Sequence, residues 1–252
     1  MAIGTFSIES LSIRLGTDGF SFSTLRGDRN ESPSIEHFSV DDSLPITANL
    51  KRVLAETNFA KQSYQKVHVF IDTPRYTLVP LELFEDEQAE LLFHHNFSPV
   101  AGESVCYDIV RRVNVVCIYG MDRSLSTFLH ETFPQASLHT QASAHLSYFA
   151  HKSHQSNRRK LYAVLSARAT EIYCMDRGKL LLNNTFACKH TDDRLYFLLY
   201  SWKQLEMDQE QDELHLMGAL PQREELMRKL QTFVRHVFVI PNASAPYIYL
   251  CE

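Results

Sequence analysis

The sequence predicts an α/β fold built twice over, each copy a mixed sheet with flanking helices, and three observations predict it. Residues 161–240 read as three strands in a meander, then a helix, a strand, a helix and a strand. Residues 10–132 read as the same series with an insertion at about 72–112. Between the two runs lies His151-Lys-Ser-His-Gln-Ser-Asn-Arg-Arg-Lys160, which is polar, basic and without a large apolar residue. The expected domains are therefore 1–152 and 161–252, with a solvated linker at 153–160. Strands alternating with helices after an antiparallel meander make a mixed sheet. Two such units would hold a cleft between them, where ligands of α/β folds sit.

Each element follows from its local pattern. Leu11, Ile13 and Leu15 alternate with Ser12 and Arg14, the period of a half-buried strand. Thr17-Asp18-Gly19 supplies a tight hairpin, and Phe20, Phe22 and Thr24 lead the return strand. A third strand is expected at 34–40, and a helix at 46–62 from Leu50, Val53, Leu54 and Thr57. Val67 to Ile71 is a compact apolar strand. Within the insertion, Asp72 to Pro80 is extended, an acidic helix is expected near 85–95, and a strand at 104–111. Another strand runs from Val113 to Tyr119, Asp122 caps a helix bearing Leu125, Phe128 and Leu129, and a further helix spans about 141–152.

In the second copy the strands are Leu161–Leu165, Glu171–Met175 and Leu180–Cys188, with Asp176-Arg-Gly-Lys179 as a hairpin turn. Leu195, Leu198, Leu199, Trp202 and Leu205 fall at helical spacing, with Thr191 or Asp192 as N-cap. Asp212–Met217 and Val237–Ile240 are strands on either side of a helix carrying Leu226, Leu230, Phe233 and Val234, with Pro221 in its first turn.

The chain has 252 residues, a net charge of −5 and a pI near 6.2, which excludes a broad non-specific nucleic-acid surface. Five cysteines without a C-x-x-C pair read as reduced thiols. The first residues lack a basic stretch followed by an apolar one, and no apolar run approaches the ~20 residues of a membrane span. The expected location is the cytoplasm. His94 and His95 are adjacent and diverge by about 100° on a helix, and His151/His154 have no Cys or clear acidic partner, so no metal site is expected.

Three segments bear on chemistry. Ile13-Arg14-Leu15-Gly16-Thr17-Asp18-Gly19 is a strand running into a glycine-bounded hairpin. Ala163-Val-Leu-Ser166-Ala-Arg168-Ala-Thr170 holds the matching place in the second copy, and Leu216-Met-Gly218-Ala219-Leu-Pro221 joins a strand to a helix. In order and position these resemble the two phosphate hairpins and the adenosine loop of the actin-like ATPases, a duplicated ribonuclease H-like fold. That family's first hairpin typically reads Ile-x-Asp-x-Gly-Thr, its glycine admitting the phosphates and its acid holding hydrated Mg²⁺. Here Arg14 stands at the acid's place, and an arginine cannot support Mg²⁺, although it can pair with an anion.

The second hairpin of that family reads apolar-Asp-x-Gly-Gly-Gly-Thr. This chain keeps Thr170 but carries Ser166 and Arg168 where the acid and glycines would be. The adenosine loop, apolar-Gly-Gly, is the least altered, with Ala219 after Gly218. The resemblance thus implies a degenerate nucleotide cleft at these positions, with ATP the only cofactor it would suit, and no catalytic residue. A sugar- or acetate-type kinase would need a carboxylate near Mg²⁺, and Asp18 is the only nearby candidate. A ribonuclease H activity would need converging carboxylates where Arg14 and Ser166 stand.

Val69-Phe-Ile-Asp72-Thr-Pro-Arg-Tyr-Thr-Leu-Val-Pro80, Lys179-Leu-Leu-Leu-Asn183-Asn-Thr-Phe186 and Asp193-Arg-Leu-Tyr196 resemble an uncharacterised family of Bacteroidetes proteins, DUF3822. That resemblance implies an actin-like fold similar to pilus-assembly and type II secretion scaffolds, hence a non-catalytic scaffold with an unidentified protein partner. A nucleotide-binding module without hydrolysis is the alternative. Asp72 and Arg75 form a polar cluster at a strand exit, read either as an anion or partner contact or as local capping.

Overall fold

The computed structural model describes residues 8–26, 34–218 and 222–241. Contacts divide the chain into two compact units, the division falling between His145 and Leu146. In the first, β1 (Ile8–Gly16), β2 (Gly19–Arg26) and β3 (Ser34–Phe38) form an antiparallel meander. Helix α1 (Ile46–Glu56) leads to β4 (Tyr64–Ile71), which lies parallel to β1 with Leu15 opposite Ile71. The inserted segment supplies β5 (Tyr76–Pro80), α2 (Ala89–Asn96), β6 (Glu103–Val110) and β7 (Val115–Asp122). Then come α3 (Arg123–Thr132), β8 (Ala136–Thr140) parallel to β4, and α4 (Gln141–His154), within which the division between the units falls. The first sheet runs β3-β2-β1-β4-β8.

The second unit repeats this order. Strands β9 (Lys160–Leu165), β10 (Ala169–Asp176) and β11 (Lys179–Ala187) form the meander. They are followed by α5 (Thr191–Gln204), β12 (Glu213–Met217), α6 (Arg223–Leu230) and β13 (His236–Val239). The sheet runs β11-β10-β9-β12-β13, with β12 parallel to β9 and to β13. Its strand order and directions match those of the first sheet, so the twofold repetition expected from the sequence is present in the fold.

Burial of alternate strand residues against one helical stripe holds each unit. Leu11, Ile13 and Leu15 are fully buried with Leu50, Val53 and Leu54 of α1 and Leu125 and Leu129 of α3. Leu161, Ala163 and Leu165 are buried with Leu198 and Trp202 of α5 and Leu226 and Leu230 of α6. Each buried aliphatic side chain contributes about 1.5–3 kcal/mol, so these stripes dominate the stability of their units.

Several boundaries differ from the sequence expectation, each for a local reason. Helix α1 stops at Glu56 rather than 62, because Thr57 turns extended and its hydroxyl donates back to the Val53 carbonyl at 2.8 Å. In the acidic segment a 3₁₀ turn at Asp86–Gln88 precedes α2, so the α-helix starts at Ala89. The strand expected at 113–119 is β7, and it belongs to a third sheet of order β5-β7-β6. The strand that closes the first sheet is instead β8, which sequence pattern missed: Leu138 is the only large apolar residue in Ala-Ser-Leu-His-Thr. Asp122 does cap α3, accepting from Leu125 N at 2.8 Å. For α5 the N-cap is His190, and Asp193 reaches back to the His190 and Lys189 amides, which holds its carboxyl below the usual range.

Asp108 fastens the third sheet. Projecting from β6, it accepts from Thr140 N at 2.8 Å and Ser143 Oγ at 2.6 Å, and it lies 3.1 Å from His139 Nδ1. It therefore serves as an N-terminal cap for α4 supplied from 32 residues away. His139 stacks on His68, whose ring nitrogens are both buried without a hydrogen-bond partner. Burial, then His139 and Lys66, hold the His68 pKa below the ordinary 6.5. The folded chain thus takes up this proton less readily than the unfolded one, so stability is lost as pH falls below about 6.5. His215, depressed mainly by burial, acts in the same direction. His68→Phe is expected to lose less stability than the wild type between about pH 7 and pH 5.5. Equal losses in urea-unfolding midpoints would refute a role for His68.

Candidate functional site

At the end of β1 the backbone closes a two-residue hairpin, Gly16 paired with Gly19 around the exposed Thr17-Asp18 tip. Gly19 has φ +138, and a Cβ there would press on the Phe38 carbonyl, so glycine is required. Because Ile13 and Leu15 face the core, Arg14 projects from the opposite face of the sheet. Its Nη2 lies 2.8 Å from Asp72 Oδ2 and 2.9 Å from Asp18 Oδ1. Nε donates to the Gln141 side-chain oxygen at 2.5 Å and Nη1 to the Gly19 carbonyl at 3.3 Å. Asp72 is held in place at the exit of β4, its amide donating to Leu15 O at 2.9 Å.

One guanidinium is thus bracketed by two carboxylates. Its position over the hairpin matters as much as its charge. A Cβ on Gly16 would lie 2.5 Å from Asp18 Oδ1 and 2.9 Å from Arg14 Nη2. The chain's own ion pair covers the space that this glycine leaves open.

In the second unit the matching turn is tied by Ser166, whose hydroxyl accepts from Ala169 N at 3.1 Å and lies 3.2 Å from Ala169 O. Arg168 is exposed, and Thr170 is buried with no hydrogen-bond partner for its hydroxyl. From below, the buried Arg194 of α5 donates to Ser166 O at 2.6 Å, to Ala167 O at 3.3 Å and to His190 O at 3.3 Å. Sequence reading missed this clamp. Its signal was present, since Arg194 stands four residues before Leu198 and eight before Trp202, on the buried stripe of the helix.

The loop after β12 begins at Gly218, at φ +108, where a Cβ would strike the Leu165 carbonyl. Arg223 Nη1 donates to the Gly218 carbonyl at 3.2 Å. This loop and the Ser166 turn are therefore neighbours. Ala219 and Pro221 lie outside the described residues.

Arg75 is not part of the Arg14 cluster. It forms a two-pronged pair with Glu103 at 2.7 and 2.8 Å, donates to Ser98 O at 2.8 Å, and lies over the rings of Phe93 and Phe97. The local capping at this strand exit comes from Thr73, whose hydroxyl accepts from Arg75 N at 3.2 Å. Among the described residues no group of three or more His, Cys, Asp or Glu could hold a metal ion, and no helix is long and apolar enough to cross a membrane.

Comparison with solved structures finds a Bacteroides thetaiotaomicron protein described as having an actin-like ATPase fold and unknown function. It is 45% identical, with 99% of this chain and 98% of that one covered and a TM-score of 0.89. The PilM–PilN type IV pilus biogenesis complex matches with a TM-score of 0.66 at 12% identity, covering 96% of this chain and 90% of that one. The ethanolamine utilization protein EutJ of Carboxydothermus hydrogenoformans matches at 0.50 and 9% identity, covering 96% and 89%. No curated protein matches the chain. Residues 3–237 match the family of proteins of unknown function DUF3822. With two like-ordered sheets, an inserted third and these relatives, the chain has the actin-like ATPase fold and belongs to the DUF3822 family.

Proposed function

We propose that this protein is a non-catalytic actin-like scaffold that acts through contacts with another protein. The observation that carries this reading is Arg14. It occupies the position where the resembled hairpin places a metal-associated acid, and it is neutralised there by Asp18 and Asp72. A guanidinium cannot ligate Mg²⁺, and one already paired with two carboxylates is engaged where a phosphate would otherwise pair with it. In this arrangement the side-chain ends of Asp18 and Arg14 also occupy the space at Gly16 through which a phosphate would approach the backbone. Support for the scaffold half comes from the PilM–PilN complex, in which a protein of similar fold is assembled with a second protein.

A second reading, nucleotide binding without hydrolysis, draws on Gly218, which keeps the positive φ and close packing that an adenosine loop needs. Thermal unfolding with and without millimolar ATP–Mg²⁺ separates the two. Ligand at about 100 times its Kd would add ~2.7 kcal/mol, or roughly 5–10 °C in Tm for a chain of this size. The scaffold reading expects a shift below about 1 °C and no phosphate release. A shift of the larger size would establish nucleotide binding, and release of phosphate would overturn the scaffold reading.

A further inference from the structure

The inserted segment carries an unusual charge. Between Arg75 and Arg111 the sequence holds seven acids (Glu82, Glu85, Asp86, Glu87, Glu90, Glu103 and Asp108) and no lysine or arginine. Two of these are internally committed, Glu103 to Arg75 and Asp108 to the α4 cap. The other five are exposed and fall within nine residues. The same segment exposes apolar surface. Among the described residues Leu83 is 66% exposed, Tyr107 37% and Ile109 42%.

These two features meet. The third sheet has one face packed on α2 through Phe93, Val116, Ile118 and Val105. Tyr107 and Ile109 alternate with β6 residues that face the other way, so they lie on that packed face. Helix α2 has only eight residues, and it leaves both of them accessible along β6, the edge strand. Phe84, next to Leu83, packs on Tyr107 with ring centroids 4.8 Å apart. Asp86 and Glu87 lie close enough to Tyr107 to raise the pKa of its phenol, Asp86 the more strongly. An aromatic and aliphatic edge is thus flanked by exposed carboxylates, with no lysine or arginine between Arg75 and Arg111 and the exposed Arg111 and Arg112 only beyond the end of β6.

We propose that this edge of the inserted sheet docks a basic, amphipathic segment of a partner protein. The segment's apolar side chains would cover Leu83, Phe84, Tyr107 and Ile109, and its lysines or arginines would meet Asp86 and Glu87. The occupant follows from complementarity: apolar contact gives the affinity, and a single-sign rim selects positive charge and speeds encounter. The inference rests on the scaffold reading and names its partner class.

The test is fluorescence anisotropy of the full chain with a labelled synthetic peptide that alternates lysine and leucine. An otherwise equal glutamate–leucine peptide serves as the control. The lysine–leucine peptide is expected to bind, and to weaken at least ~tenfold between low and about 0.3 M salt. It is expected to weaken by at least ~tenfold in Glu85→Gln/Asp86→Asn/Glu87→Gln and, separately, in Tyr107→Ser/Ile109→Ser. Tyr196→Ser/Tyr200→Ser, on the exposed face of α5, should leave it unchanged. Circular dichroism of each variant confirms the fold. Binding that ignores the Tyr107/Ile109 variant, or binding of the acidic peptide equally well, would overturn the proposal. So would a self-associated wild type that becomes monomeric in Ile109→Ser, because a second copy would then be the occupant. Failure of peptide binding with no response to ATP–Mg²⁺ removes this surface alone, whereas phosphate release removes the scaffold reading itself.

Discussion

Replacing Arg194 with alanine is expected to cost about 3–4 kcal/mol of stability. Arg194 is 1% exposed, and its guanidinium donates to three carbonyls, those of Ser166, Ala167 and His190. Hydrogen bonds to a charged group contribute about 1.5–3 kcal/mol each, and the truncation also leaves a void under the turn. Arg194→Lys should recover less than half of the loss, since one ammonium cannot span three acceptors held by a planar fork. Urea unfolding reads this directly as a lower midpoint at unchanged slope. A loss below about 1 kcal/mol would mean that the turn holds itself through Ser166 and does not need the clamp.

Gly218→Ala is expected to destabilise by about 2–4 kcal/mol, because the backbone sits at φ +108 and the added methyl meets a main-chain carbonyl, that of Leu165. The obstacle is backbone in a central strand, so relief would require moving β9 itself. The same change at Gly16 should cost about 1 kcal/mol or less, although the space there is also filled. The atoms in its way are the ends of the Asp18 and Arg14 side chains, which can swing aside. Comparing the two variants in one unfolding series separates a backbone-imposed glycine from one whose neighbours can yield. Equal costs would show that the Arg14–Asp18 pair is as rigid as a strand.

The legibility of the fold depended on how local each signal was. The meander strands and the helices α3, α5 and α6 were readable because each buries a stripe whose period is visible within a dozen residues. Asp122 announced α3 because an N-cap acts over three residues. Strand β8 was not readable: its pairing with β4 spans about seventy residues, and only Leu138 marks its apolar face. The same limit applied to the site. Glycine positions could be read from spacing and the place of Arg14 from the family resemblance, but not what surrounds them.

Residue order alone was enough to predict a duplicated α/β plan, and the family resemblance put Arg14 where a metal-supporting acid would be expected. It left open what that arginine does. The answer came from side chains brought together across 58 and 127 residues, Asp72 and Gln141, which with Asp18 hold the guanidinium over its own hairpin. Arg75 is held in the same way by Glu103, and Asp108 caps a helix that begins more than thirty residues later. Periodicity reports which face of an element is buried. It carries no information on which distant charge will lie opposite, because that is set by strand order and register once the sheets have formed.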